Sequence, residues 1–170
     1  GAWGGEISEN LESVELLNNK NEIEVLSKSD IDFSYRSSSF DNDTILLSAI
    51  FKLKKSEKKI IQDNFDLAKS GRKNTQPLNY RSAGSVFKNP SSEHSAGMLI
   101  DQSGLKGSSI GDAKISNKHA NFFVNEGNAK ADDMISLIKK AKNTVKDKFN
   151  IQLDLEVRLL GFNSEEINEL

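Results

Sequence analysis

Two early segments, LESVELL (11–17) and EIEVLS (22–27), alternate polar and apolar residues across the turn-prone stretch NNKN, which predicts an antiparallel hairpin. FSYRSSSF (33–40) follows. In TILLSAIFKL (44–53), Ile45, Leu47, Ala49, Phe51 and Leu53 then fall on one face of a strand, so the first third of the chain reads as an antiparallel sheet. From Ser56 to Ser70 the period changes: Ile60, Ile61, Phe65 and Ala68 recur at helical spacing, and Gly71 stands where a helix-ending glycine would. The stretch RKNTQPLNYRSAGSVFKNP (72–90) carries both prolines of the chain and reads as a loop.

A short helix is expected from Ser95 to Ser103, ended by Gly104, then a glycine-rich segment, GLKGSSIGDAKIS, and a strand at NFFVN. The clearest helix spans Asp132 to Phe149. Met134, Ile138, Ala141, Val145 and Phe149 form one stripe, with two aspartates in the first turn and lysines toward the last. IQLDLEVRLLGF (151–162) alternates as a closing strand. The sum is an α+β chain with mainly antiparallel sheets in two parts divided near Arg72, without repeats or low-complexity segments.

Composition narrows the chemistry. The 170 residues are 36% hydrophobic and 28% charged, enough for one domain or two small ones. Because 23 basic and 25 acidic residues leave a net charge of -2, no global field attracts nucleic acid or an anionic membrane. The absence of cysteine excludes disulfides, thiolate catalysis and Cys-based zinc sites, and two histidines argue against a histidine-rich metal centre. No apolar run is long enough to span a bilayer and no secretory signal opens the chain, so a cytoplasmic location is expected. GAWGGEI enters strand-like sequence directly, as the middle of a domain would.

Candidate chemistry is local. Gly84 before Ser85 permits a tight turn that projects the hydroxyl, which either satisfies that turn or serves chemistry; with no Gly-x-Ser-x-Gly, a hydrolase triad is not supported. Arg36 beside Tyr35 is a sheet-edge arginine, or a carboxylate grip next to a ring that stacks. Glu156 and Arg158, two apart on the expected strand, share a face as a surface ion pair or as an acid and a cation in a pocket. KHANFFVN and GRKNTQP offer weaker phosphate-binding possibilities. Gly104, Gly107 and Gly111 form no dinucleotide fingerprint, and the lysines of KKSEKK and KKAKNTVKDK read as solvated helix faces.

In this order, GAWGGEI, FSYRSSSF, RSAGSVFKNP, AGMLIDQSGLKGSSIGDAKISNKHANFFVN and LDLEVRLLG resemble the C-terminal part of the UDP-N-acetylenolpyruvoylglucosamine reductase (MurB) family across essentially the whole chain. The resemblance implies an oxidoreductase that uses FAD and NADPH to reduce UDP-N-acetylglucosamine enolpyruvate in peptidoglycan precursor synthesis. By similarity, Ser85 is the proton donor, while Arg36 and Glu156 stabilise the developing enolate. Lys73 and Asn89 match substrate-contacting positions, with Lys88 and His119 beside them in the same motifs; Gly1, Ala2, Tyr35 and Arg158 match positions near the flavin.

Residues 1–71 are expected to be the end of a PCMH-like FAD-binding domain, 72–150 a substrate-binding domain, and 151–170 a strand and tail returning to the first. No longer insertion carrying a substrate-clamping tyrosine fits between Phe40 and Arg72, so the chain resembles the shorter branch. The family's glycine-rich FAD loop is not among these residues, so the 170 residues alone are expected to be inactive and not to retain FAD. A stand-alone module binding a UDP-sugar or a partner protein, without redox activity, is the alternative.

Overall fold

A computed structural model of the chain describes residues 4–162. The chain forms two compact units, one up to Ala68 and one from Lys69. After a single turn, α1 (Ile7–Asn10), the first unit builds a three-stranded antiparallel sheet from β1 (Leu11–Leu17), β2 (Ile23–Ser27) and β5 (Ile45–Phe51), in the order β2-β1-β5. The hairpin forms as predicted because Asn18 closes its turn: the side-chain oxygen accepts the N–H groups of Lys20 and Glu22 at 2.9 and 3.0 Å. Leu11, Val14, Leu16 and Ile31 are buried, with Leu26 and Phe40 packed against them.

β5 does not keep the single apolar face its alternation predicts. Two register shifts interrupt its pairing with β1, so Ile45 pairs with Leu17 while Ala49 pairs with Val14, on opposite faces of β1. Its large apolar side chains are exposed, as are Ile23 and Val25 of β2. Between the sheet strands lies a two-residue hairpin, β3 (Phe33–Ser34) and β4 (Ser37–Ser38), whose turn is Tyr35 and Arg36.

Helix α2 (Lys58–Thr75) runs past Gly71, which the sequence suggested as its end. Thr75 donates its hydroxyl to the Gly71 carbonyl and Gln76 its N–H to Arg72, and the helix stops just short of Pro77, where a helical conformation is disfavoured.

The second unit is a four-stranded antiparallel sheet in the order β6-β9-β8-β7, made of β6 (Arg81–Ser85), β7 (Ser109–Ile110), β8 (Ala113–Ile115) and β9 (Phe122–Asn125). α3 (Ala96–Gln102) is the expected short helix. Ser95 caps it by accepting the Met98 N–H, and Gly104 leaves it with φ of 75°. α4 (Ala131–Phe149) carries the predicted stripe plus Leu137, and Asn150 ends it in the left-handed region at φ 55°.

Leu137, Ile138, Ala141 and Val145 of α4 join Leu99 and Ile100 of α3 and Ala113, Ile115 and Phe123 of the sheet in one core. Phe87 meets Phe123 edge to face, with ring centroids 6.0 Å apart. The closing segment buries Leu153 in this core, but the expected strand over 151–162 reduces to one antiparallel bridge, Leu155 to Phe87.

Truncating Leu137 to Ala removes a fully buried side chain and is expected to lower unfolding free energy by about 2–5 kcal/mol. Leu160→Ala, at an exposed position, should stay within about 0.5 kcal/mol. Urea unfolding of both variants checks the contrast.

Candidate functional site

Ser85 closes β6, and its orientation is set by a bulge. Ser82 pairs with Val124 and Ser85 with Phe122, so three steps on β6 oppose two on β9, and Gly84 takes up the difference at φ of 89°. In a regular strand, residues an odd number apart face opposite ways. The bulge therefore turns half-buried Ser85 onto the face of Ser82, Phe122 and Val124, away from the Phe123 side that packs on the α4 core. Val124 also lines a polar cavity of about 420 Å³ whose wall includes Lys73, Tyr80, Lys114, Lys118 and Glu126.

Beyond the serine the chain is gripped on both edges. On one side, Asn121 accepts the Val86 N–H on its carbonyl and the Phe87 N–H on its side-chain oxygen, both at 2.9 Å, and its side-chain amide donates to the Phe87 carbonyl at 2.8 Å. On the other, Glu156 donates its N–H to Val86 at 2.8 Å and Lys88 donates its own to Asp154 at 2.8 Å. The half-buried Glu156 is thus bonded through the backbone to the residue that follows Ser85. Two residues beyond Phe87, Asn89 accepts the Ala96 N–H at 3.1 Å at the entrance to α3.

Lys73 sits in the last turn of α2 on the polar cavity, and its carbonyl accepts from the Lys118 ammonium. Arg158 is exposed and lines a second, mainly apolar cavity of about 420 Å³ with Arg81, Ala83, Met134 and Ile138. His119 lies half-buried with its ring centroid 4.8 Å from that of Phe122, and its Nδ1 accepts the Asn121 N–H at 3.2 Å. An added Cβ on Gly97 would stand 3.2 Å from the ring, so glycine there leaves the imidazole its space. Burial, reinforced by the charge of Lys106, pushes the His119 pKa below its ordinary value, against the opposing pull of a backbone hydrogen bond.

Tyr35 and Arg36 belong to the first unit. Arg36 turns the hairpin at φ of 56°, a conformation that costs a side-chain-bearing residue roughly 1 kcal/mol or more, and its guanidinium carbon lies 4.8 Å from the Tyr35 ring centroid. Gly1 and Ala2 lie outside the described residues. Ser85, Glu156, Lys88 and Asn89 thus gather around one strand end of the second unit, while Tyr35 and Arg36 form a pair within the first.

The sequence reading met Asn121 and Lys118 only as part of the weak phosphate candidate KHANFFVN, without the hold of Asn121 on Phe87, and it missed Lys114 of β8. Among the described residues, no cluster of three His, Asp or Glu side chains is arranged to hold a metal ion. No helix there is long and apolar enough to cross a membrane.

Residues 76–160 match the family model described as UDP-N-acetylenolpyruvoylglucosamine reductase, C-terminal domain. A protein named UDP-N-acetylenolpyruvoylglucosamine reductase from Clostridium novyi is 45% identical over 166 residues, covering 97% of this chain and 54% of that protein. The protein of the same name from Shouchella clausii is 45% identical over 167 residues, covering 98% and 53% respectively. The crystal structure of UDP-N-acetylenolpyruvylglucosamine reductase (MurB) from Thermus caldophilus aligns with a TM-score of 0.80 at 36% identity, over 94% of this chain and 57% of that one. The chain spans about half the length of the curated relatives it matches.

A titration of the His119 ring by NMR should place its midpoint below 6.5. Since the folded state then takes up its proton at lower pH than the unfolded state does, the associated stability is intact above 6.5 and falls as pH drops through the folded midpoint. His119→Gln should flatten that part of the stability profile in denaturation experiments run across the range.

Proposed function

The chain belongs to the UDP-N-acetylenolpyruvoylglucosamine reductase (MurB) family, and from that membership we propose that it forms the C-terminal part of a cytoplasmic flavoenzyme of peptidoglycan precursor synthesis. The reaction reduces UDP-N-acetylglucosamine enolpyruvate to UDP-N-acetylmuramate. Residues 1–71 are assigned to the end of a PCMH-like FAD-binding domain and 72–150 to the substrate-binding domain. The observation that carries this reading is the Gly84 bulge, which turns Ser85 onto the sheet face bearing the polar cavity while a backbone hydrogen bond ties Glu156 to Val86, the residue after it.

Tyr35, with a half-exposed ring, and Arg158, with an exposed guanidinium, have the flat and hydrogen-bonding chemistry that a flavin takes. FAD, reduced by NADPH, supplies the hydride when bound. The remaining work falls to this chain. Lys73 and Asn89 hold the substrate through the cation and the amide they present, with Lys88 and His119 alongside.

As hydride reaches the methylene carbon of the enolpyruvyl group, the electron pair of its double bond moves into the carboxylate, giving an enediolate-like charge. Arg36 and Glu156 stabilise that charge, and a cation ~4 Å away contributes on the order of 4 kcal/mol at an effective dielectric near 20. Ser85 then gives its hydroxyl proton to the adjacent carbon, and the electrons return from the carboxylate to form the new C–H bond. A serine hydroxyl is a weak acid, so the transfer depends on this electrostatic setting and on hydrogen-bond reach of the carbon.

Intact mass and visible absorption of the gene product purified from its own cell test the reading. A mass well above 18.8 kDa with stoichiometric bound flavin is expected. A flavin-free protein near that mass which still bound the UDP-sugar would make it a binding module without redox chemistry. In the flavin-bound protein, Ser85→Ala should reduce kcat about 10²–10⁴-fold with KM little changed, measured by substrate-dependent NADPH oxidation.

A further inference from the structure

We propose that Asn121 is a positioning residue for Ser85, acting through the two hydrogen bonds its carboxamide makes to the Phe87 backbone; the proposal rests on the reductase reading above. Asn121 is 3% exposed and Phe87 0%, so neither bond competes with water and the amide does not reach substrate. Its oxygen takes the Phe87 N–H and its NH2 group gives to the Phe87 carbonyl. This donor and acceptor pair stands in for a strand residue and continues the β6–β9 pairing past the bulge, where β9 has ended.

The grip acts on the chain immediately after Ser85. Without it, the backbone of Val86 and Phe87 would keep only the hydrogen bonds of the Asn121 carbonyl and the Asp154–Val157 side, and the bulge at Gly84 would be held less tightly. His119 secures the clamp in turn by accepting the Asn121 N–H. Hydroxyl placement and the backbone bond from Glu156 to Val86 therefore both depend on a residue two positions from the candidate substrate histidine.

Asn121→Asp tests this with almost no change of shape. An ionised carboxylate accepts the Phe87 N–H but sets lone pairs against the Phe87 carbonyl, whereas a protonated carboxyl donates there as the amide did. Burial raises a carboxyl pKa, which brings that exchange toward neutral pH. The titratable groups of the elements packed around it are Lys118 and His119 in its own loop, Lys106 beside His119, Lys88 on the clamped segment, and Asp154 and Glu156 across from it. The first turn of α3 contributes none. Wild type shares these groups, so a pH dependence common to both proteins cancels in the variant-to-wild-type ratio.

The measurement is NADPH oxidation with UDP-N-acetylglucosamine enolpyruvate, in the flavin-bound gene product at its natural length, from about pH 6 to pH 9, with hydrogen exchange at the Phe87 amide followed on the same samples. The ratio of kcat should be down about ten- to a hundredfold at the alkaline end and climb toward one at the acid end, with KM nearly constant and Phe87 protection recovering in parallel. A pH-independent ratio would overturn the proposal, as would a loss carried by KM. So would a variant that fails to fold even at the acid end, or one that folds only there, since the clamp would then hold the fold rather than the serine. Wild type without turnover would instead overturn the reductase reading, and this inference with it.

Discussion

Three residues, Val86 to Lys88, tie the second unit together because hydrogen bonds hold them along both edges. Asn121 binds one side and Asp154 to Val157 the other. Phe87 at their centre is fully buried against Phe123, so the same segment anchors the core and carries the serine at its entrance. Leaving either of the two backbone groups that Asn121 satisfies without a partner would cost about 1–3 kcal/mol. A catalytic side chain placed next to such a segment inherits its rigidity without taking a place in the core itself.

The parts of the fold legible in the sequence were those whose pattern repeats often enough to declare a period. α4 spans five turns with its stripe intact, α3 is bracketed by Ser95 and Gly104, and the first hairpin carries an asparagine that closes its own turn. β6 was read as loop, and β7 and β8 only as a glycine-rich segment, because RSAGS, SI and AKI are too short or too small in side chain to alternate, and their pairing comes from distant partners. Gly71 misled for the converse reason: a glycine marks a helix end only where the backbone needs a positive φ, and here the helix continues to Thr75.

The candidate site divides in the same way. Gly84 and Ser85 could be read as a turn that presents a hydroxyl, but its direction follows from how many residues β6 and β9 spend over the same length, which a single strand does not encode. Arg36 stood out as a residue type, while its strained backbone and its contact with Tyr35 belong to the hairpin alone. Asn121 looked like the start of a strand. Its importance lies in a partner 34 positions away, beyond the reach of any local pattern.

The bulge also ties the length of this segment to the conformation of Gly84. Were Gly84 to lose its left-handed conformation and the strand to run regularly from Ser82, its three steps would carry Ser85 to the opposite face, among the apolar side chains under α4, whereas deleting one residue between Ser82 and Ser85 would remove the bulge and leave the two serines on one face. Homologous chains that keep the chemistry should therefore carry the extra residue and the glycine together or lack both, and a chain of this length with a bulky residue in place of Gly84 would mark a sequence that has abandoned the reaction.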